Sequence, residues 1–315
     1  MKYLFLFLLF LSGSAVAQKA DQPHLKVLGV AQDGGYPHAA CAKACCEQAW
    51  KDAGKRRFVT SLALVDPASG KWWLFEATPD ITDQLHYFRS LTGGKYRYLP
   101  YGIFITHAHI GHYAGLMQLG REVMNTKEVP VYVLPRMKTY LEQNGPWSQL
   151  VGLKNIRLVE LAIAGKDMKL SYMGQTLADG ILVSAFQVPH RDEFSETAGF
   201  YLSLHSREYL FIPDIDKWEK WESSIKDMVA AVDVALLDAT FFADGEIPGR
   251  SISEVPHPFV SETMQLFSFD TTARNLRSRI HFIHFNHTNP LLWDTKKQKA
   301  VRSAGFNLAV QGEDL

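Results

Sequence analysis

The chain has 315 residues, 33 basic and 33 acidic side chains, 47% hydrophobic and 21% charged residues. This is a globular mixture long enough to bury a large core as one layered domain. A formally neutral chain with no basic run has nothing to grip a phosphate backbone, which sets nucleic acid aside as a partner.

Lys2, the apolar run Tyr3 to Leu11 and the small-residue site Ala15-Val16-Ala17 have the form of a cleavable signal peptide over residues 1–17. Its apolar core is too short to span a membrane, and nothing after residue 17 could span one. The mature chain, 18–315, is expected to be a single domain working outside the cytoplasm, periplasmic or secreted. Leu25 to Val30 reads as a first strand ending in Gln32-Asp33-Gly34-Gly35, where the glycine pair suits positive φ. The only cysteines follow in Cys41-Ala42-Lys43-Ala44-Cys45-Cys46. In an oxidising compartment an odd number leaves one thiol over unless all three bind a metal. Either a bridge from Cys41 to Cys45 or Cys46, or a small structural metal site completed by His38, is expected here.

Val59 to Val65 and Trp72 to Glu76 flank the turn 66–70 as a hairpin, and Ile81 to Ser90 reads as a helix. The apolar stretch Tyr101 to Ile105 leads into Thr106-His107-Ala108-His109-Ile110-Gly111-His112 and a helix-like Tyr113 to Leu119. A strand at Val131 to Leu134 precedes a helix at Met137 to Gln143. Strands at Met168 to Met173, Ile181 to Val188, Ala198 to Leu204 and Tyr209 to Ile212 follow, then a helix over Lys217 to Met228 and a strand at Val232 to Leu237. Glu262 to Phe267, Thr272 to Leu276 and Trp293 to Ala304 read as helices, Ile280 to His284 and Phe306 to Val310 as strands. Two mixed sheets packed face to face with helices outside, a four-layer αββα sandwich of the α/β class, suit this order.

Three imidazoles within six residues at a strand exit form a metal site in search of further ligands. The pleat sends His107 and His109 to one side, and the turn can return His112 beside them. Neutral imidazoles with a carboxylate bind zinc or iron and leave a position open for water. Metal-capable residues recur at other strand ends: Asp80 after Trp73-Leu74-Phe75, His190 after Val188-Pro189, Asp214 after Ile212-Pro213, and His287 after Phe282 to Phe285. Ligands collect where strand ends converge. Asp33, Tyr36 and His38, in the turn after the first strand, are placed to line the same mouth. His257, within Pro256-His257-Pro258, reads either as a group contacting substrate or leaving group, or as a turn histidine bonded to backbone.

The spacing resembles the metallo-β-lactamase superfamily, whose signature H-x-H-x-D-H precedes a distant histidine, an aspartate and a last histidine. The resemblance implies that His107, His109 and His190 hold a first metal, that His112 and His287 hold a second, that Asp214 bridges them, and that Asp80 orders the metal loop. Gly111 stands where the superfamily has a ligating aspartate. That leaves one tightly held metal or a pair with one weak site, and implies that aspartate restored at 111 strengthens the second. Within the superfamily, Val27 to Pro37 with the cysteines, Ala77 to Ile81, Leu237 to Glu246, Pro256 to Pro258 and Asn286 to Leu292 resemble the coenzyme PQQ synthesis protein B family. That family lacks the His107/His109 pair and the counterparts of His190 and Asp214 in this form, so the chain reads as a relative that keeps hydrolase ligands. The expected function is hydrolysis of a small ester, lactone, amide or phosphodiester, with one or two zinc ions acidifying water and Asp214 receiving its proton. The alternatives are iron-dependent oxygen chemistry and a non-catalytic metal-dependent binding protein.

Overall fold

Each half of the chain pairs its strands with their neighbours in sequence, because short turns and single crossovers connect them. A computed structural model describes residues 22–164, 174–247, 249, 254–268 and 276–315. In the first sheet β1 (His24–Gly29), β2 (Ser61–Asp66), β3 (Lys71–Phe75), β4 (Ile103–Phe104), β5 (Val129–Val133) and β6 (Ile156–Glu160) lie in sequence order. Pairing is antiparallel from β1 to β3 and parallel from β3 to β6. The second sheet holds β7 (Gln175–Ala178), β8 (Ile181–Val188), β9 (Thr197–Leu204), β10 (Arg207–Ile212), β11 (Val234–Asp238), β12 (Ile280–Ile283) and β13 (Asn307–Leu308), again in order. It is antiparallel up to β10 and parallel from there to β13.

β2 and β11 are buried at every position, the signature of strands covered on both faces. Between the sheets Phe75 stacks on Phe104 at 4.8 Å and meets Phe200 edge-on at 5.4 Å and Phe211 at 6.1 Å. All four rings are fully buried, each contributing about 1.5–3 kcal/mol of burial. The first sheet's other face packs on α2 (Ile81–Leu91), whose Ile81, Leu85 and Phe88 recur at helical spacing, with Trp72 stacked on Phe88 at 4.0 Å. α4 (Pro135–Gln143) and α5 (Trp147–Gly152) join that layer through Met137, Leu141 and Leu150. The fold is the expected four-layer sandwich.

Local chemistry explains the departures from the expected elements. The helix expected over Lys217 to Met228 is interrupted: a short 3₁₀ turn spans Trp218–Lys220, and α6 (Ile225–Ala230) restarts where the Ser224 hydroxyl accepts from Asp227 N at 3.3 Å. Among the described strands and α-helices, four had no counterpart in the sequence: β6, β7, α5 and α1 (Ala44–Lys51), which carries two of the cysteines. The remaining helices are α3 (Ile110–Tyr113), α7 (Val260–Leu266) and α8 (Thr295–Ser303), the last capped by Asp294 accepting from Lys296 N and Lys297 N. The signal segment 1–17, the strand at Met168 to Met173 and most of the helix at Thr272 to Leu276 lie outside the described residues. Among the described residues no helix is long and apolar enough to cross a membrane.

The parallel strands position the site. Glu76 follows β3, Thr106 and His107 follow β4 closely, Asp214 follows β10, Asp238 ends β11 and His284 follows β12, so their side chains gather at one sheet edge. Ala198 N donates to Thr106 O at 3.0 Å and Ala108 N to Ser195 Oγ at 2.9 Å, joining the two sheets at that edge.

Candidate metal centre

Asp214 is the meeting point. It is buried, and His107 Nε2 lies 3.4 Å from its Oδ2, with His190 Nε2 3.5 Å from its Oδ1. His109 Nδ1 is 2.7 Å from His107 Nε2, and one donor atom from each of His107, His109, His190 and Asp214 lies within 4.8 Å of the others. Asp216 N donates to Pro189 O at 2.7 Å, holding the His190 loop against the Asp214 loop. The outer nitrogen of His109 is 2.9 Å from the Glu193 carboxylate, a partner the sequence reading did not name.

A second group shares Asp214: Asp33, His112, Asp214 and His284 also bring donor atoms within 4.8 Å of one another. His112 Nε2 is 3.5 Å from Asp214 Oδ2 and 3.1 Å from Asp33 Oδ1, and His284 Nε2 is 3.9 Å from Asp33 Oδ1. His287, expected in this position, is elsewhere. Phe285 N donates to Val30 O at 2.8 Å, Gln32 N to Phe285 O at 2.8 Å and Asn286 N to Thr240 O at 2.9 Å. These bonds carry the chain away from the edge directly after His284, whose φ of 68° makes the turn. His284 was hidden because it read as the end of its strand; it is the first residue beyond β12 and therefore meets the same strand-end criterion as Asp214.

Besides His109, three of the imidazoles have an outer partner, and His190 has none among the described residues. His107 Nδ1 meets Thr106 Oγ1 at 2.9 Å, His112 Nδ1 meets Glu76 Oε2 at 3.3 Å, and His284 Nδ1 meets Thr240 Oγ1 at 2.9 Å. The Thr240 hydroxyl donates to Asp238 Oδ1 at 2.7 Å, so it accepts from His284 Nδ1 and leaves Nε2 as the inward lone pair. His257 sits behind the group: its Nδ1 is 2.9 Å from Asp238 Oδ2 and 3.1 Å from Asp214 Oδ1. Its Nδ1 partners are thus carboxylates, where the turn reading expected backbone.

The electrostatics set ligand-ready protonation states at most of these donors. His112 is the exception: although burial opposes its charge, Glu76 and then Asp214 and Asp33 hold it protonated well above the usual imidazole range, so a cation there must displace that proton. Burial holds His107 neutral, well below the usual imidazole range, and neighbouring His112 adds to this; burial likewise pushes His190 down to about 4. Burial opposes ionisation of Asp214 and Asp33, but His190 and His257 beside the first, and His112 and His284 beside the second, hold both carboxyls well below the usual range. Burial also opposes charge on His257, yet Asp238 and then Asp214 push it up to about 10. Neutral imidazoles and ionised carboxylates are the forms a cation requires. Asp33 Oδ1, His112 Nε2, both nitrogens of His190, Asp214 Oδ1 and His284 Nε2 are buried and make no hydrogen bond. Each such atom costs about 1–3 kcal/mol unless something else satisfies it. Their convergence is what a metal cradle looks like, and the donor set of imidazole and carboxylate fits one.

Two expected residues serve nearby backbone instead. Asp80 Oδ2 accepts from Val59 N at 2.8 Å just before β2, while the histidine loop is tied by Ala77 N donating to His112 O at 2.9 Å. The Tyr36 hydroxyl donates to Cys45 O at 2.6 Å, within the cysteine loop and away from the mouth. There Cys41, Cys46 and His287 bring donor atoms within 4.8 Å of one another, with Cys45 Sγ 3.8 Å from Cys41 Sγ. The three sulfurs are free thiols, and the expected bridge is not formed. His38 does not complete this group. Its backbone N donates to Cys46 Sγ at 3.4 Å, its Nδ1 is 2.9 Å from Ala39 O, and its ring lies 4.4 Å from that of His287, which takes the fourth place.

A sequence profile of the beta-lactamase superfamily domain matches residues 71–290, from β3 to beyond β12. The chain belongs to the beta-lactamase superfamily. Within it, the chain is 27% identical over 310 residues to coenzyme PQQ synthesis protein B of Gluconobacter oxydans, covering 91% of this chain and 96% of that protein. The superfamily fold also matches the crystal structure of zinc-bound PqqB from Methylobacterium extorquens, with a TM-score of 0.72 at 20% identity over 93% of this chain and 99% of that one. A diphosphatase of the PhnP family gives a TM-score of 0.62 at 19% identity over 93% of this chain and 96% of that one.

Proposed function

We propose that this superfamily member is an exported metal-dependent hydrolase that uses water to cleave a small ester, lactone, amide or phosphodiester. The observation that carries the reading is the meeting of two donor groups on one buried carboxylate, Asp214, with their inward atoms lacking hydrogen bonds. His107, His109 and His190 with Asp214 would hold one ion, and His112 and His284 with Asp214 a second; zinc suits these donors. When bound, such an ion supplies acidified water near neutral pH and polarises a carbonyl or phosphoryl oxygen.

The residues around it divide the remaining work. Asp214, held ionised, is placed to accept the proton that water gives up. His257 holds a proton between Asp214 and Asp238, and its other ring nitrogen is the group to protonate a leaving oxygen or nitrogen. A cavity of 660 Å³, lined by Phe186, Pro189, Lys220 and Trp221, reaches His190, the size range of a small-molecule site. We assign a small-molecule substrate with no nucleic-acid or membrane partner after removal of residues 1–17, and a mature single domain from 18 to 315 in the periplasm or secreted. The diphosphatase that shares the fold keeps phosphoesters among the substrates to screen. Cys41, Cys45, Cys46 and His287 are read as a separate structural zinc site.

The same imidazole and carboxylate donors also suit iron, which gives a second reading, iron-dependent oxygen chemistry at this centre. Elemental analysis of residues 18–315 purified without chelators, followed by an oxygen-free hydrolysis screen, separates the two. Zinc with turnover in the absence of oxygen is the expected result. Iron with oxygen consumption would move the assignment to the second reading. Bound metal with neither activity would make the chain a binding protein, and a chain that cannot be loaded would overturn all three.

A further inference from the structure

The superfamily resemblance places a metal-ligating aspartate at position 111, where this chain has glycine. The space a side chain would need there is already taken. A Cβ on Gly111 would lie 2.2 Å from Asp33 Oδ1, 2.5 Å from Asp33 Cα and 2.8 Å from Asp33 Cβ. Asp33 reaches this spot from the turn after β1, nearly eighty residues earlier in the chain.

The turn is built to hold it. Gln32 Nε2 donates to Asp33 Oδ2 at 2.8 Å, Gln32 N to Phe285 O at 2.8 Å, and Gly35 N to Gln32 O at 2.8 Å, with Gly35 at φ 70°. One carboxylate oxygen is thereby fixed by protein. The other, Oδ1, makes no hydrogen bond although buried, and points at His112 Nε2, 3.1 Å away, with His284 Nε2 at 3.9 Å. The carboxylate missing from the histidine loop is present from another element, in the same place.

We propose that Asp33 is the carboxylate ligand of the second metal, together with His112, His284 and Asp214, and that Gly111 is glycine because Asp33 fills its side-chain volume. This rests on the metal-centre reading above. It reverses the expectation that aspartate restored at 111 strengthens the second site: with Asp33 in place, any side chain at 111 must displace the ligand.

The test is zinc titration of the mature chain against a chromophoric chelator, with thermal melting to confirm folding. Asp33→Asn keeps the shape of the turn and removes the anion. It is expected to weaken the weaker of the ions bound at Asp214 by at least about 100-fold, more than loss of an outer partner costs, with the other ion retained. Gly111→Ala leaves every donor side chain intact and is expected to lower the affinity of that same ion; Gly111→Asp is expected not to raise it. Wild-type binding of two ions with unchanged affinity in Asp33→Asn would overturn the assignment of Asp33 alone. A wild-type chain that takes up no zinc at the histidines would overturn the metal-centre reading and this inference with it. Tighter binding in Gly111→Asp would show that position 111 is open and refute the exchange.

Discussion

Asp238→Asn tests how the site is held together. The Asp238 carboxylate is fully buried and accepts four hydrogen bonds: Thr240 N at 2.9 Å and Thr240 Oγ1 at 2.7 Å on one oxygen, Ile215 N at 3.1 Å and His257 Nδ1 at 2.9 Å on the other. Asparagine has the same shape but one acceptor. Whichever way the amide turns, it faces a pair of donors with its own NH₂ and loses two of the four bonds. An unsatisfied buried donor costs about 1–3 kcal/mol, more where charge assists the bond, so the metal-free variant should be about 2–6 kcal/mol less stable. Urea unfolding followed by circular dichroism should show the midpoint fall with an unchanged slope. The same change loosens His257, the Ile215 amide next to Asp214, or the Thr240 hydroxyl that orients His284. Zinc affinity should therefore drop about 10–100-fold. A stability loss below about 1 kcal/mol would refute the reasoning, since it would mean that these bonds are not held by an ionised, buried Asp238.

Glu193→Gln should weaken zinc binding about 10–100-fold with little change in melting temperature, because Glu193 is half-exposed and acts by holding the outer nitrogen of His109; unchanged affinity in the chelator competition would remove that role. His287→Ala should cost one zinc per chain by elemental analysis while leaving the ions at Asp214, a result opposite to the one expected if His287 were the last ligand of the main centre. Phe200→Ala opens the inter-sheet core where Phe75 and Phe104 meet, and should cost about 3–5 kcal/mol in urea unfolding.

What was legible in the sequence was whatever depends on a single segment. Ile181–Val188 is a strand with the bounds that apolar patterning gives it, and α2 starts where expected at Ile81. The histidine run declares itself because three ligand-type residues share one turn. His287 reads as the ligand and His284 as the end of a strand, since the choice between them depends on bonds with Val30, Gln32 and Thr240 that meet only in the folded chain. The same holds for Asp33 and Gly111: the close approach of two loops far apart in sequence leaves no local mark on either. Glu193 and Glu76 look like surface and strand residues until the imidazoles they support are in place. The cysteines advertised a cluster, but its histidine came from the other end of the chain.

The order of the strands bears on how such a site comes into being. The six strands β1 to β6 lie within residues 24–160 and the seven strands β7 to β13 within residues 175–308, so each sheet can grow by adding strands adjacent in sequence. The donors are divided between them: Asp33, His107, His109 and His112 come with the first half, and His190, Asp214 and His284 with the second. Neither half carries a complete ligand set at Asp214 until the two sheets dock. An ion taken up there is a late clasp across the seam, and the free energy of its binding goes to keeping the halves closed. Stripping the ions should first increase amide exchange along the seam while the interiors of both sheets stay protected.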